Sequence, residues 1–143
     1  MTDPTASSAP LPWERIVADV ADALIYIDTE GVIRAWNAAA ATLFGFPASE
    51  ALGQSVDLII PEHLREAHWR GFNRAMERGA TSRGAEVRTT RGLHKDGRKL
   101  YVDMSFSVVK SATGQVLGSA AMARDATERY LAERARKAAA SGG

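Results

Sequence analysis

Residues 99–110 read KLYVDMSFSVVK, and this stretch decides the fold of the chain. Apolar side chains alternate along it with polar or amphipathic ones; the apolar set is Leu100, Val102, Met104, Phe106 and Val108. Because successive side chains of a β-strand point to opposite faces of a sheet, this set lies on one face. The stretch therefore predicts a long strand with one buried face, the other face being solvated or covered by a polar partner.

Four further segments have the composition of strands: residues 23–28, 31–36, 85–91 and 116–124. Each is bounded by turn-forming residues. Glycine-containing turns at residues 28–31, 95–98 and 112–115 connect neighbouring segments and favour hairpins. Five strands joined in this way predict an antiparallel sheet.

Helical signals fill the middle of the chain. Asn37 is a good N-cap for a helix over residues 38–44, and a second short helix is predicted near residues 48–52. Pro61 suits the first turn of a third helix, which is expected to run to about Gly79. The predicted fold class is α+β, a five-stranded antiparallel sheet with short helices on one face.

The two ends of the chain differ in composition from the middle. Residues 1–12 are rich in Ser, Ala, Pro and Thr and predict a disordered leader, followed by an amphipathic cap helix over residues 13–20. Asp125 and Glu128 form a capping-box pattern that opens a final helix through about Ala140. Apolar residues are sparse in this helix, so residues 128–143 are predicted to be a connector or a dimer-forming stalk with a tail.

Composition excludes several functional classes. A net charge of +1, from 18 basic and 17 acidic residues, argues against an electrostatic interface with nucleic acid or an anionic membrane. The absence of cysteine excludes disulfides, thiolate nucleophiles, iron–sulfur clusters and covalently attached haem. No signal peptide and no apolar run of about 18 residues is present, which predicts a cytoplasmic chain. No nucleophile–base pair or phosphate-binding loop is evident, so no enzymatic activity is expected.

One histidine stands where apolar side chains are expected. In the third helix, Leu64, His68, Phe72 and Ala75 follow at helical spacing and share one stripe, which turns His68 inward. Such a histidine can be a structural residue that donates to a backbone carbonyl. It can also be the axial ligand of a haem iron, because neutral imidazole in an apolar pocket is a common haem ligand. Spacing leaves both interpretations open.

Several short motifs resemble those of the PAS family. They are Ile27-Asp28 with Gly31-Val32-Ile33, Trp36-Asn37-Ala38, Leu43-Phe44-Gly45-Phe46, Leu52-Gly53-Gln54, Ile60-Pro61, Lys95-Asp96-Gly97 and Arg124-Asp125-Ala126-Thr127-Glu128. The resemblance covers about residues 20–128 and implies the PAS fold, with residues 21–127 as the sensor domain. PAS domains are sensors or interaction modules, so family membership alone does not specify a ligand.

Within the family, the pattern is most similar to the haem-binding oxygen-sensor subgroup. The resemblance implies haem b with His68 as the single protein ligand of the iron. It implies that Arg88 contacts bound oxygen, that Arg74 contacts a haem propionate, and that Met104 and Phe106 form apolar distal walls. Ser82 and Glu86 depart from the subgroup, at a propionate-contacting position and at a sixth-ligand position respectively.

The implied function is a haem-based sensor of a diatomic gas (O2, and also CO or NO). It would act as a homodimer and relay its ligand state to an output partner or fused domain. One alternative is a cofactor-free PAS interaction and dimerisation module in which His68 is structural. Another is a flavin-binding PAS sensor, although the absence of cysteine excludes the photoreactive thiol of the light-oxygen-voltage subgroup.

Overall fold

A five-stranded antiparallel sheet forms the framework of the protein, as predicted. The structure is a computed structural model that describes residues 10–142, so most of the predicted leader lies outside the described residues. The strands are β1 (Ala23–Asp28), β2 (Ile33–Trp36), β3 (Arg88–Leu93), β4 (Lys99–Lys110) and β5 (Val116–Asp125). Their order across the sheet is β2-β1-β5-β4-β3, which puts β3 at one edge.

The helices lie before, between and after the strands. They are α1 (Trp13–Asp19), α2 (Ala38–Phe44), α3 (Ala48–Ala51), α4 (Arg65–Arg78) and α5 (Thr127–Gly142), with 3-10 turns at Val56–Ile59 and Glu62–Leu64. Between residues 10 and 142, no helix combines the length and the apolar character that a membrane span requires.

The alternation in β4 separates the two faces of the sheet. Leu100, Val102 and Met104 are buried on the inner face, whereas Phe106, further along the same face, is 39% exposed. On the outer face Tyr101 is buried as well, because the ring of Tyr130 on α5 stacks on it at 4.0 Å. The predicted polar partner of this face is therefore the chain's own C-terminal helix.

The core lies between the inner face of the sheet and helices α2 to α4. Phe44, Ile59 and Phe72 come from the helical side, and Ile33 and Val102 come from the sheet. These side chains are almost completely buried. Burial of such large apolar side chains contributes roughly 1.5–3 kcal/mol each, so this layer supplies much of the stability of the domain.

The side chain of Asn37 joins three parts of the structure. Its Oδ1 accepts hydrogen bonds from Ala40 N–H, as an N-cap of α2, and from Leu24 N–H on β1, both at 2.9 Å. Its amide nitrogen donates to the backbone carbonyls of Val17 and Asp22 at 3.0 Å. The residue predicted as a helix cap thus also fastens α1, which has no buried residue of its own, to the sheet.

Several predicted boundaries differ from the observed ones, including the start of β2, which lies at Ile33 instead of residue 31. The helix after Pro61 begins as the 3-10 turn Glu62–Leu64, and α4 itself starts at Arg65. Strand β3 runs over Arg88–Leu93 instead of 85–91, because its register follows from pairing with β4, where Leu93 lies opposite Lys99. The end of α4 agrees with prediction: Gly79 has φ +72° and donates its N–H to Ala75 O at 2.8 Å.

The capping box predicted at the start of α5 forms only in part. Asp125 Oδ1 accepts a hydrogen bond from Thr127 N–H at 2.9 Å. In the described part of the chain, Glu128 makes no side-chain hydrogen bond back to residue 125, whose backbone belongs to β5. Thr127 instead bonds to β4: its Oγ1 accepts from Tyr101 N–H at 3.0 Å and donates to Tyr101 O at 3.3 Å.

Candidate functional site

A cavity of about 430 Å³ lies between the inner face of the sheet, helix α4 and the loop of residues 81–87. This volume falls within the range of small-molecule sites, roughly 300–1,000 Å³. Most of its lining is apolar and comes from the core: Ile25, Ile27, Phe44, Val56, Ile59, Ile60, Val102, Met104 and Ala121. The cavity can therefore accept a largely apolar group.

His68 lines this cavity together with the other members of its helical stripe, Leu64, Phe72 and Ala75. Its ring stacks near Phe72 at 6.1 Å between centroids and meets the edge of Trp69 at 4.9 Å. The Nδ1 atom is buried and has no hydrogen-bond partner among the described residues. A buried nitrogen without a partner is uncommon in folded proteins, and an ordered water, an ion or a ligand can satisfy it.

The imidazole of His68 is in the form that binds metals. Burial lowers the pKa of His68, and the nearby charge of Asp57 offsets this effect only in part. The ring is therefore neutral near pH 7 and keeps a free lone pair on one nitrogen. The structural interpretation has the ring hydrogen-bonded to a backbone carbonyl, and at Nδ1 no such bond is present among the described residues.

Contacts at the start of α4 hold His68 in place. Trp69 Nε1 donates to Asp57 Oδ1 at 2.8 Å, and Arg65 Nε donates to Ile60 O at 3.0 Å. The Trp69 ring also lies against Gly31, where an added Cβ would stand 2.0 Å from Trp69 Cη2. The turn between β1 and β2 thus requires glycine, and it supports the helix that presents His68.

The strand residues predicted for the site face the same cavity. Arg88 and Met104 lie opposite each other in the β3–β4 pairing, and both line the cavity together with Phe106. Arg88 is exposed, and its side chain makes no ion pair within residues 10–142. The guanidinium group of Arg88 is therefore free to rotate, and it lies beside the apolar part of the cavity wall that Met104 and Phe106 form.

Arg74 is placed differently from the other predicted site residues. It lies on the exposed side of α4 and is not part of the cavity lining. Its contact with a propionate stays a prediction. Ser82 and Glu86, the two departures from the subgroup pattern, do line the cavity.

Five polar lining residues were not predicted as site residues: Thr81, Arg83, Thr90, Arg91 and Ser119. Thr90 and Ser119 could have been found, because each lies two residues from an inward-facing residue, Arg88 and Ala121. Arg83 lies in a loop without periodicity, so no pattern in the sequence identifies it.

The residues around the cavity fit a haem group. Haem needs apolar walls and one imidazole, and both are present here. Within the described ranges, no cluster of three His, Cys, Asp or Glu residues exists that could hold a bare metal ion. A metal bound at His68 would therefore have one imidazole ligand from the described part of the chain.

A second polar cluster lies on the outer face of the sheet and is called the outer clamp here; it consists of Thr89, Asp103 and Arg129. Arg129 on α5 forms two hydrogen bonds with the Asp103 carboxylate, at 2.7 and 2.9 Å. Thr89 Oγ1 donates to Asp103 Oδ1 at 2.6 Å. These bonds lower the pKa of Asp103 to about 2. Because Thr89 follows Arg88 in β3, the outer clamp begins one residue from the cavity.

Curated proteins that are similar to the chain include two bacterial sensor proteins. The chain is 42% identical to the sensor protein FixL of Bradyrhizobium diazoefficiens over 53 residues, which are 37% of this chain and 10% of FixL. It is 31% identical to the oxygen sensor protein DosP of Escherichia coli over 103 residues, which are 72% of this chain and 13% of DosP. The chain thus spans only about a tenth of the length of these relatives.

Solved structures share the fold. The PAS domain of a protein from Colwellia psychrerythraea matches with a TM-score of 0.70 and 26% identity, over 81% of this chain and 95% of that one. An RNA-binding light-oxygen-voltage receptor matches with a TM-score of 0.72 and 24% identity, over 99% of this chain and 41% of that one. A family model described as "PAS fold" matches residues 17–131. Since that match covers most of the sequence and agrees with the observed sheet and helices, the chain belongs to the PAS family.

Proposed function

We propose that this PAS domain is a haem-based gas sensor in which His68 binds the iron of haem b. The observation that carries the proposal is the neutral imidazole of His68 in the wall of an apolar cavity. The similarity to an oxygen sensor protein over 72% of the chain supports the same choice. Haem held by one imidazole supplies an open coordination position for O2, CO or NO.

The residues of the chain have separate roles in this proposal. His68 holds the iron, and Met104 and Phe106 form apolar walls that exclude water. Arg88 favours a ligand that carries negative charge, because a guanidinium donor is strongest toward charged acceptors. Its lack of an ion pair in the described residues leaves it free to turn toward or away from the cavity.

The route from the cavity to the output runs through β3. Arg88 lines the cavity, and the next residue, Thr89, belongs to the outer clamp with Asp103 and Arg129. A displacement of β3 by a ligand therefore changes the geometry of the bond between Asp103 and the C-terminal helix. We propose that α5 carries this change to an output partner or fused domain. This is a two-state hypothesis, since the ligand must favour one arrangement of β3 over the other.

Exposed apolar residues at the helical ends suggest a homodimer. Trp13 and Ile16 on α1 and Leu131 on α5 are exposed although they are large and apolar. Such residues mark contact surfaces when they lie together on one protein. The proposal is a non-catalytic, cytoplasmic sensor that functions as a dimer. A cofactor-free dimerisation module would use the same surface and leave the cavity without a role.

Absorption spectroscopy tests the haem proposal. Hemin is added to the purified protein, the sample is reduced, and O2 or CO is admitted. We expect a Soret band that shifts with each gas in the wild-type protein and that is lost in His68→Ala. His63→Ala is the matched control, because His63 is exposed in the same segment and is not part of the cavity lining.

The outcomes separate the candidate functions. A folded His68→Ala variant, checked by circular dichroism, that keeps the gas-dependent band would refute the role of His68. A wild-type protein that takes up no hemin would leave the dimerisation module as the better account. A bound chromophore with a flavin spectrum would instead identify a flavin-binding PAS sensor.

A further inference from the structure

Charged side chains surround the open end of the cavity, and the proposed function leaves two of them without a role. Arg83, Glu86 and Arg88 all line the cavity and are exposed to solvent. A fourth charged lining residue, Arg91, is half-buried and lies over the ring of Tyr101. The exposed end of the cavity therefore has two positive groups and one negative group beside a largely apolar interior.

The pair between Arg83 and Glu86 is loose. Arg83 Nη1 lies 3.7 Å from Glu86 Oε2, and the two side chains are 53% and 54% exposed. Exposed ion pairs of this kind contribute between 0 and about 1 kcal/mol. Another carboxylate can thus replace that of Glu86 at little loss of stability.

We propose that the loop of residues 81–87 binds a carboxylate of the ligand in the cavity, with Arg83 as its contact and Glu86 as the internal anion that it replaces. The ligand class is an apolar molecule with an acidic end. This inference rests on the proposed function, in which that acidic end is a haem propionate. A guanidinium group suits the role because it can donate two parallel hydrogen bonds to one carboxylate.

The position of Arg83 makes it a better candidate than Arg74. Arg83 lines the cavity, whereas Arg74 lies outside the lining on the exposed side of α4. The loop that carries Arg83 is closed by a hydrogen bond from Thr81 Oγ1 to Gly84 O at 3.1 Å. This hydrogen bond fixes the loop locally, so the position of Arg83 at the open end does not depend on the register of α4.

The test compares two iron porphyrins that differ only in their acidic groups. Hemin and hemin dimethyl ester are titrated into wild-type protein and into Arg83→Gln, Glu86→Gln, Arg74→Gln and Arg78→Gln in the same detergent-containing buffer. We expect Arg83→Gln to weaken hemin binding by about 5- to 15-fold and to change ester binding by less than about 2-fold. Glu86→Gln is expected to strengthen hemin binding by about 2- to 3-fold, because it removes the competing anion. Arg74→Gln tests the alternative contact on α4, and Arg78→Gln, which is exposed on the same helix and outside the cavity lining, serves as the matched control.

Three results would overturn the inference while the haem proposal stands. They are unchanged hemin affinity in Arg83→Gln, an equal loss for hemin and its ester, and a loss confined to Arg74→Gln. Circular dichroism of each variant establishes that it is folded.

A metal-free probe distinguishes failure of this inference from failure of the haem proposal. Protoporphyrin IX keeps both carboxylates and lacks the iron, so its binding, followed by fluorescence, does not depend on coordination by His68. Binding of protoporphyrin that depends on Arg83, without uptake of hemin, would refute the haem proposal alone. Absence of binding for both probes in the wild-type protein would refute both.

Discussion

The outer clamp makes a prediction about acid stability that does not depend on any ligand. Replacing Asp103 by Asn removes the negative charge between Thr89 and Arg129 and keeps the shape of the side chain. The pKa of Asp103 is about 2 in the folded chain, against an ordinary value of 3.8. We expect Asp103→Asn to lower the free energy of unfolding near neutral pH.

The magnitude follows from the size of the pKa shift. One pKa unit corresponds to 1.36 kcal/mol, so the full shift sets an upper bound of roughly 2.5 kcal/mol. Asp103 is 24% exposed and Arg129 is 53% exposed, so solvent screening reduces the effect. The expected loss for Asp103→Asn is therefore about 1 kcal/mol at pH 7.

The sign of the pH dependence is also determined. The folded-state pKa lies below the unfolded value, so the stabilisation is present above about pH 4 and is lost as the pH falls toward 2. Urea unfolding, followed by circular dichroism at several pH values, is expected to show the wild-type and variant curves converging in acid. Asp19→Asn, which removes an exposed pair with Arg15 on α1, is the control and is expected to change stability by less than about 0.5 kcal/mol. A difference between Asp103→Asn and wild type that persists undiminished at the lowest pH would refute the reasoning.

Further substitutions test the site and the turn that supports it. Gly31→Ala places a Cβ 2.0 Å from the Trp69 ring at a φ of +80°, and it is expected to lower the free energy of unfolding by more than about 2 kcal/mol. Gly53→Ala, at φ +85° with nothing within 4 Å, isolates the backbone cost and is expected to lose only about 1 kcal/mol in the same urea experiment. In the haem-loaded protein, Arg88→Ala is expected to weaken O2 binding at least about 10-fold while changing CO binding much less, because only O2 acquires substantial negative charge. Equal changes for both gases in flash-photolysis kinetics would contradict that role.

The parts of the fold that follow from local chemistry were predictable. The alternation in β4 identified its limits, Lys99–Lys110, and the cap at Asn37 identified the start of α2. The helical stripe placed His68 on the same surface as Phe72, and both line the cavity. In each case the period or the cap lies within a few residues of the feature that it determines.

The features that depend on distant partners were not predictable in this way. The register of β3 follows from its pairing with β4, so its start at Arg88 was misplaced by three residues. The burial of Tyr101 depends on α5, and the position of Arg83 depends on a loop closed by its own hydrogen bonds. No periodicity in the sequence encodes these contacts. The identity of the cavity ligand was not predictable from local patterns either, because the groups that line the cavity come from separate strands, helices and a loop.

The place of β3 at the edge of the sheet determines how easily the strand can move. Only β4 pairs with β3, so a small sliding motion leaves the β1–β2, β1–β5 and β4–β5 hydrogen bonds intact. Its other edge offers N–H and C=O groups that no strand within the described residues occupies. Amide protons of residues 88–93 should consequently exchange with solvent sooner than those of β1 and β5. The strand that joins Arg88 to Thr89 is thus an edge strand that only one neighbouring strand restrains through backbone pairing.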